Sequence, residues 1–160
     1  MTTVHLVPMA QEDFEKYLAY AIPGYAQEKV RAGNWQPEEA LHLAESDYNK
    51  LLPDGLSSSN NYLYNIVTEP EGLTVGMLWL AANPKDPDHN AFIYDFLIHE
   101  THRRQGYASQ ALQAVEEKVR ALGLEKILLH VFGHNHSALA LYQKMGYVIT
   151  NINMAKDLTR

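Results

Sequence analysis

The residues whose types and spacing suggest chemistry lie in one short polar segment. Arg103-Arg104-Gln105-Gly106-Tyr107-Ala108 and the following Ser109 separate an apolar strand-like run from the longest amphipathic helical pattern in the chain. A strand that turns through a glycine into a helix leaves backbone N–H groups without partners, and such groups can bind a phosphate. A tight turn selected only for its geometry would explain the same glycine. The segment lacks the dinucleotide pattern G-x-G-x-x-G and the Walker A pattern.

The flanking patterns predict the elements that position this turn. Ala91–His99 has the character of a strand, and Lys126–Phe132 is a near-continuous apolar run that predicts a buried parallel strand. Between them, one face of a helix collects apolar residues at spacings of three and four: Ala108, Ala111, Leu112, Val115, Val119 and Leu122. Ligands bind such strand–helix–strand units at the carboxyl ends of the strands, which places a site beside Ile98–Ser109.

The remaining elements predict the fold class. Strands are expected at Thr3–Met9, Tyr62–Thr68 and Thr74–Ala82, with a last strand within Tyr147–Leu158. Helices are expected at Glu12–Ala21 and Tyr25–Ala32, separated by Pro23-Gly24, then from Pro37 to Leu52 with Leu41 on its apolar stripe, and at Asn135–Met145. This order predicts an α/β protein (α+β in some schemes) with a mixed, mostly antiparallel sheet, one parallel strand pair and helices on both faces. No linker or repeat is visible, so residues 1–160 are expected to form a single domain.

Composition excludes several kinds of site and partner. The 160 residues include no cysteine, which excludes disulfides, thiolate metal sites and a cysteine nucleophile, and fits a reducing cytoplasm. A net charge of -6 argues against nucleic acid as a partner, and no apolar run has the length of a membrane span. His130, His134 and His136 cluster without a helical i, i+4 pair, so no metal site is expected.

Two motifs together resemble one acetyltransferase superfamily. Arg103–Ala108 matches the [QR]-x-x-G-x-[GA] signature of the GCN5-related N-acetyltransferases, the GNAT superfamily. Asn135–Tyr147 resembles the same superfamily's N-x-x-A-x-x-L-Y-x-K-x-G-[FY] segment. The motifs occur in the expected order and separation, and the strands before and after them fit the superfamily's layout. The resemblance implies a GNAT fold and acetyl-coenzyme A as the co-substrate.

The resemblance also implies how the coenzyme is held. Backbone N–H groups of Arg104–Ser109 (Arg104, Gln105, Gly106, Tyr107, Ala108, Ser109) would bind the pyrophosphate, aided by the helix dipole. Gly106 would let that backbone approach the phosphate. The main chain of Leu97, Ile98 and His99 would pair with the pantetheine arm as a strand pairs with an open edge. Arg103 and Arg104 could add side-chain contacts or form only a solvated turn, and Asn135 would lie near the coenzyme, act as a helix N-cap, or do both.

Catalytic roles follow from the same resemblance. Tyr142 matches the tyrosine that protonates or hydrogen-bonds the departing sulfur, although an aromatic on an amphipathic helix is otherwise a core residue. Some members carry a glutamate base on the strand before the phosphate turn, but the aligned residue is Ile93, and Asp95 is the nearest carboxylate. Asp95 could be the base or a structural acid, with a water chain as the base instead. A backbone N–H of Leu97–His99 could stabilise the oxyanion.

The expected reaction is transfer of an acetyl group from acetyl-CoA to a primary amine by direct attack in a ternary complex. A coenzyme-A-binding or regulatory module without turnover is the alternative, and a phosphate-binding fold for another nucleotide is a third. The expected acceptor is a small-molecule or peptide amine whose identity the sequence leaves open. The helices and loop of Phe14–Asn61 are expected to hold it, and the tyrosines there either line the pocket or belong to the core: Tyr17, Tyr20, Tyr25 and Tyr48. The oligomeric state is left open, with a homodimer among the options.

Overall fold

The structure, a computed structural model, describes residues 2–159. Its strands are β1 (Thr3–Pro8), β2 (Asn61–Glu69), β3 (Thr74–Ala82), β4 (Asn90–Ile98) and β5 (Lys126–Leu129). Its α-helices are α1 (Gln11–Arg31), α2 (Pro37–Leu51), α3 (Tyr107–Ala121) and α4 (His136–Lys144), and single 3-10 turns occur at Gly55–Ser57 and Glu100–His102.

The five strands form one sheet in the order β1-β2-β3-β4-β5. The first three pairings are antiparallel and the β4–β5 pairing is parallel. Parallel neighbours need a crossover connection, and α3 provides it. The predicted mixed, mostly antiparallel sheet with one parallel pair is therefore confirmed.

Helices cover both faces of the sheet. On one face the apolar stripe of α3 and Tyr142 of α4 pack against the β3 residues Leu78 and Leu80. On the other face, Phe14 and Tyr17 of α1 and Tyr48 of α2 pack against Met77 and Trp79 of β3. Strand β3 is buried on both faces because it lies at the centre of the sheet, and its sequence is accordingly an apolar run.

Helix α3 forms because its apolar residues recur on one face. Ala111, Leu112, Val115 and Val119 are all buried, and each larger side chain contributes about 1.5–3 kcal/mol of transfer free energy. The helix ends at a glycine in the left-handed region, Gly123 with φ of +79°. This packing holds the start of α3 in place at the end of β4.

A β-bulge separates the two halves of β4. Trp79 of β3 pairs with Asp95 and Leu80 pairs with Ile93, so Tyr94 has no partner on β3. The parallel pairing with β5 also stops there, at Ile93 opposite Leu129. A bulge bends its strand and increases the local twist. Beyond it, the edge of β4 from Tyr94 to Ile98 has no paired strand on the β5 side within residues 2–159.

Two sequence predictions about the N-terminal helices are wrong. Helix α1 runs without interruption through Pro23, which was expected to break it. Proline removes one helical hydrogen bond, but Tyr17 and Ala21 before it and Ala26 after it are all buried, and this packing outweighs the lost bond. Leu41 of α2 is half exposed and lies off the buried stripe of that helix.

Two predictions about the C-terminal strands also need correction. Strand β5 ends at Leu129, short of the predicted Phe132, and its side chains are exposed or half-buried because β5 lies at the edge of the sheet. The predicted last strand within Tyr147–Leu158 is absent, and those described residues adopt no regular secondary structure. Within residues 2–159, no helix combines the length and apolar character that a membrane crossing requires.

Candidate active site

The end of β4 presents its main chain to two different neighbours. His99 donates its N–H to the carbonyl of Val75 at 2.8 Å, and a Cβ added at Gly76 would collide with the carbonyl oxygen of Leu97. Leu97 and His99 therefore direct their main-chain groups toward β3. Because these directions alternate along an antiparallel strand, Phe96 and Ile98 direct theirs toward the unpaired edge.

This alternation reduces the number of predicted residues whose main chain can contact a pantetheine arm. Of Leu97, Ile98 and His99, only Ile98 faces the unpaired edge with its main chain, and Phe96, which the sequence interpretation did not include, faces it as well. The carbonyl of Ile98 accepts a hydrogen bond from Nε of Arg103 at 2.9 Å. The N–H of Phe96 is donated to Oδ1 of Asp95 at 2.9 Å. Of the four outward main-chain groups, the N–H of Ile98 and the carbonyl of Phe96 therefore remain for a strand-like ligand, while the other two already have the partners named above.

The turn that follows β4 has the backbone of an anion site. Arg104 and Gly106 both have positive φ angles, +63° and +81°. Gly106 is the N-cap residue of α3, and no side chain of residues 2–159 makes a capping hydrogen bond there. No hydrogen bond from the N–H groups of residues 104–109 is found within residues 2–159. Unpaired N–H groups at a helix start, preceded by left-handed residues, form a concave cluster of donors for an anion.

The side chains of the turn differ in their exposure and in their hydrogen bonds. Arg103 and Arg104 are exposed, but Arg103 also bonds the carbonyl of Ile98 and so ties the turn to the end of β4. Gln105 accepts a hydrogen bond from the hydroxyl of Tyr107 at 3.1 Å. Ala108 and Ser109 are half-buried at the start of α3. A Cβ at Gly106 would meet no atom within 4 Å, so the left-handed φ explains this glycine better than local crowding does.

Tyr142 lies beside the unpaired edge. It is buried on α4, and its ring lies 6.4 Å from the ring of Phe96 and 5.6 Å from that of Tyr147. Its hydroxyl makes no hydrogen bond to residues 2–159, so it is available to a ligand. Burial raises the pKa of Tyr142, and the carboxylate of Asp95 raises it further. The phenol therefore keeps its proton at neutral pH.

Asp95 approaches the same edge from the other face of the sheet. Its Oδ2 accepts a hydrogen bond from the hydroxyl of Tyr17 at 2.6 Å, and Tyr17 lies 3.4 Å from the hydroxyl of Tyr48. Burial raises the pKa of Asp95, whereas the bonds from Tyr17 and the Phe96 N–H act in the opposite direction. Tyr17 and Tyr48 belong to the core, while Tyr20 is 43% exposed, and burial and Asp95 raise its pKa to about 12.

The loop between β5 and α4 connects these two faces. Asn135 caps α4, since its Oδ1 accepts a hydrogen bond from the N–H of Ala138 at 3.3 Å. His134 stacks on Phe132 and places Nε2 2.5 Å from Oε2 of Glu28 on α1. Within the described chain, no three metal-ligating side chains converge.

Comparison with known proteins identifies the family. Residues 25–147 match the model of the acetyltransferase (GNAT) family. The chain belongs to the GNAT family. The predicted superfamily is thus confirmed, and with it the assignment of the protein as an acyltransferase of the N-acetyltransferase type.

Relatives of similar length support the family assignment. This GNAT protein is 42% identical over 156 residues to the uncharacterized N-acetyltransferase YycN of Bacillus subtilis, covering 98% of this chain and 99% of YycN. It is 43% identical over 153 residues to the uncharacterized N-acetyltransferase YdgE of the same organism, covering 96% and 97% of the two chains.

Solved structures agree with the fold of this GNAT protein. The crystal structure of YycN matches it with a TM-score of 0.93 over 99% of this chain and 100% of that one. A GCN5-related N-acetyltransferase from Ralstonia eutropha JMP134 matches with a TM-score of 0.63 at 19% identity, over 98% and 99% of the two chains. At that identity the second likeness shows the fold alone.

Two groups at this site escaped the sequence interpretation. Phe96 contributes its main-chain N–H and carbonyl to the site. Only the bulge at Tyr94 decides that the main chain of Phe96, rather than that of Leu97, faces the unpaired edge. Tyr17 was considered only as a pocket or core residue, and its bond to Asp95 joins residues 78 positions apart. No local pattern signals either relation.

Proposed function

We propose that this GNAT protein transfers the acetyl group of acetyl-CoA to a primary amine by direct attack in a ternary complex. The observation that carries the proposal is the unpaired edge of β4 after the bulge. At one end of this edge lies a turn with free N–H groups, and beside it lies a protonated tyrosine, Tyr142, with a free hydroxyl.

The residues present fit the coenzyme at three points. The main chain of Ile98 offers strand-type hydrogen bonds to the amide groups of a pantetheine arm. The N–H groups of residues 104–109 suit a pyrophosphate, and the dipole of α3 adds attraction for negative charge. Arg103 and Arg104 supply positive side chains next to the same turn, and Asn135, at the start of α4, is the third group that we assign to the coenzyme.

The acetyl end of the coenzyme would then lie near Phe96. The outward N–H of Phe96, which is donated to Oδ1 of Asp95 in the structure, would leave that carboxylate and donate to the thioester oxygen as negative charge develops there. During transfer the amine nitrogen bonds to the acetyl carbon and the carbon–sulfur bond breaks. Tyr142 donates its proton to the departing sulfur, and the amine gives a proton to Asp95, directly or through water.

The proposed acceptor is a small-molecule or peptide amine that approaches from the α1–α2 side. Asp95 supplies a negative charge at that side, and Tyr20, exposed on α1, offers an aromatic surface to a cationic amine. A cytoplasmic location, where acetyl-CoA is made and used, belongs to this proposal.

Thiol release tests the proposal directly. The protein has no cysteine, so every thiol that appears on incubation with acetyl-CoA and a panel of amines comes from the coenzyme. We expect amine-dependent release together with an N-acetylated product detected by mass spectrometry. Binding of acetyl-CoA without thiol release for any amine would instead support the non-catalytic coenzyme-A-binding module. Absence of acetyl-CoA binding would contradict both.

A further inference from the structure

Two hydrogen bonds from different directions hold the carboxylate of Asp95. Its Oδ1 accepts the N–H of Phe96 at 2.9 Å, and its Oδ2 accepts the hydroxyl of Tyr17 at 2.6 Å. Asp95 is half-buried, and no lysine, arginine or histidine among residues 2–159 forms an ion pair with it. The negative charge of Asp95 is therefore stabilised by hydrogen bonds from these two donors.

The bond from Tyr17 is fixed by the packing of the core. Tyr17 is 2% exposed, and the centroid of its ring lies 5.6 Å from that of Tyr20 and 6.5 Å from that of Tyr48. Its hydroxyl also lies 3.4 Å from the hydroxyl of Tyr48. Because the surrounding rings hold Tyr17 in place, its hydroxyl keeps a constant position relative to Oδ2 of Asp95.

The bond from Phe96 is easier to replace. It joins adjacent residues of one strand, so a small rotation of the Asp95 carboxylate is enough to break it. The same N–H points to the unpaired edge of β4, where the acetyl end of the coenzyme is proposed to lie. A thioester oxygen that gains negative charge would be a second acceptor for this N–H, which can donate to two acceptors only by weakening both bonds.

The ionisable groups that face the carboxylate are neutral phenols. They reach it from α1, α2 and α4: Tyr17, Tyr20, Tyr48 and Tyr142. Burial raises the pKa of each phenol, so all four keep their protons at neutral pH. Burial also raises the pKa of Asp95, and the bonds from Tyr17 and Phe96 oppose that rise. Loss of the Phe96 bond would therefore make Asp95 a stronger base.

We propose that the acetyl group of bound acetyl-CoA makes Asp95 a stronger base by taking the Phe96 N–H from Oδ1, while Tyr17 keeps Oδ2 in position. The freed Oδ1 then turns to the proton of the attacking amine, and Tyr17 is a positioning residue for the base. This inference rests on the proposed function. CoA without an acetyl group has no thioester oxygen, so it leaves the bond between Phe96 and Asp95 intact.

NMR titration of the Asp95 carboxyl group tests this exchange of hydrogen bonds without turnover. In protein with isotope-labelled aspartate, the Asp95 signal is assigned by its loss in Asp95→Asn. It is then titrated with pH under saturating acetyl-CoA or saturating CoA, without an amine. We expect a midpoint at higher pH with acetyl-CoA than with CoA, because one bond to the ionised form is lost. Asp47, on α2, is the internal control and should titrate identically with both ligands.

The outcomes of this titration separate the inference from the function on which it rests. Equal Asp95 midpoints with the two bound ligands would overturn the inference and leave the proposed function standing. Equal displacement of the Asp47 midpoint would show a general effect of the ligand and would also overturn it. Failure of acetyl-CoA to bind would overturn both.

Two tyrosine variants test the positioning role of Tyr17. Tyr17→Phe keeps the packed ring but removes the bond to Oδ2 of Asp95. In this variant, kcat/KM for the amine should fall a few-fold and its pH midpoint should move to higher pH. Tyr48→Phe removes a neighbouring core hydroxyl, which in the described chain contacts Tyr17 rather than Asp95, and should leave both quantities unchanged. Equal changes in the two variants, or an unmoved pH midpoint in Tyr17→Phe, would refute the role of Tyr17.

Discussion

The proposed coenzyme side and the proposed acceptor side of the candidate site, called here the coenzyme side and the acceptor side, are built from different groups of the protein. On the coenzyme side, the end of β4 and the turn before α3 present main-chain groups whose directions follow from a bulge and two left-handed residues. On the acceptor side, α1 and α2 present side chains, and the central contact is the Tyr17–Asp95 hydrogen bond. Main-chain sites depend on backbone geometry and tolerate varied sequence, whereas side-chain sites change with each substitution. One fold can therefore keep a main-chain site for a coenzyme while substitutions of side chains change the site for the acceptor.

Tyr142→Phe should have the largest effect, because it removes the proposed proton donor to the departing sulfur. We expect kcat to fall by about 100-fold or more, as is usual when a general acid is removed, while affinity for acetyl-CoA changes little. Steady-state kinetics and calorimetric titration of the coenzyme would measure the two quantities.

Tyr147→Phe is the matched control for that substitution. Tyr147 packs against Tyr142 at 5.6 Å, and its own buried hydroxyl has no partner within residues 2–159. Removing that hydroxyl should leave turnover intact. Equal losses in the two variants would show that packing of the ring pair, rather than the Tyr142 proton, matters.

Asp95→Asn tests the acceptor side. We expect kcat/KM for the amine to fall by roughly tenfold, less than for Tyr142, because both carboxylate oxygens already accept hydrogen bonds and water can share the proton transfer. Burial raises the pKa of Asp95, and only the ionised form accepts a proton. In the unmodified protein, kcat/KM for the amine should therefore fall as the pH drops through that raised pKa. We call this fall the acid limb of the pH profile, and Asp95→Asn should lose it.

Asp47→Asn provides a control for the acid limb. Asp47 also accepts a hydrogen bond from a tyrosine, Tyr25, at 3.3 Å, but it lies on α2. Its substitution should leave the pH profile of kcat/KM unchanged. An acid limb that persists in Asp95→Asn would assign the base to another group.

The coenzyme side was largely predictable from sequence because its signals are local. The glycine of the turn, the apolar spacing of α3 and the cap residue Asn135 each occupy a few consecutive positions, and the structure places all three as expected. The register at the end of β4 was not predictable in this way. A single bulge residue, Tyr94, decides which main-chain groups face outward, and no residue type marks it.

The acceptor side and residues 148–159 were less predictable because tertiary packing decides their structure. Pro23 predicted a helix break, yet burial on both sides of it keeps α1 continuous. Residues 148–159 have partial strand-like alternation, but they pair with no strand within residues 2–159, because pairing depends on the neighbouring strand as well as on the segment itself. Alternation of apolar and polar residues therefore predicts a strand only where a neighbouring strand is present to pair with it.

Gly106→Ala tests whether the coenzyme side depends on backbone geometry. Forcing a Cβ onto a residue with φ of +81° costs about 1–2 kcal/mol and should redirect the N–H groups of the turn. We expect roughly a tenfold loss of acetyl-CoA affinity, since 1.4 kcal/mol is a factor of ten, and a greater loss for Gly106→Val. Gly123→Ala, at φ of +79° beyond the other end of α3, should cost similar stability without affecting the coenzyme. Equal coenzyme losses would mean that helix stability explains both effects.

His134→Ala should have the smallest effect, and it tests whether the two sides act independently. The contact between His134 and Glu28 joins α1 to the loop before α4, and α4 is the helix that contains Tyr142. Losing one partly buried hydrogen bond should lower the free energy of unfolding by about 0.5–1.5 kcal/mol. We expect a few-fold rise in KM for the amine, since α1 loses a tether, with an unchanged KM for acetyl-CoA. His136→Ala, two residues later and exposed, should change neither constant. A parallel rise in both KM values after His134→Ala would show that this contact also positions Asn135, the next residue, and hence that the two sides are coupled.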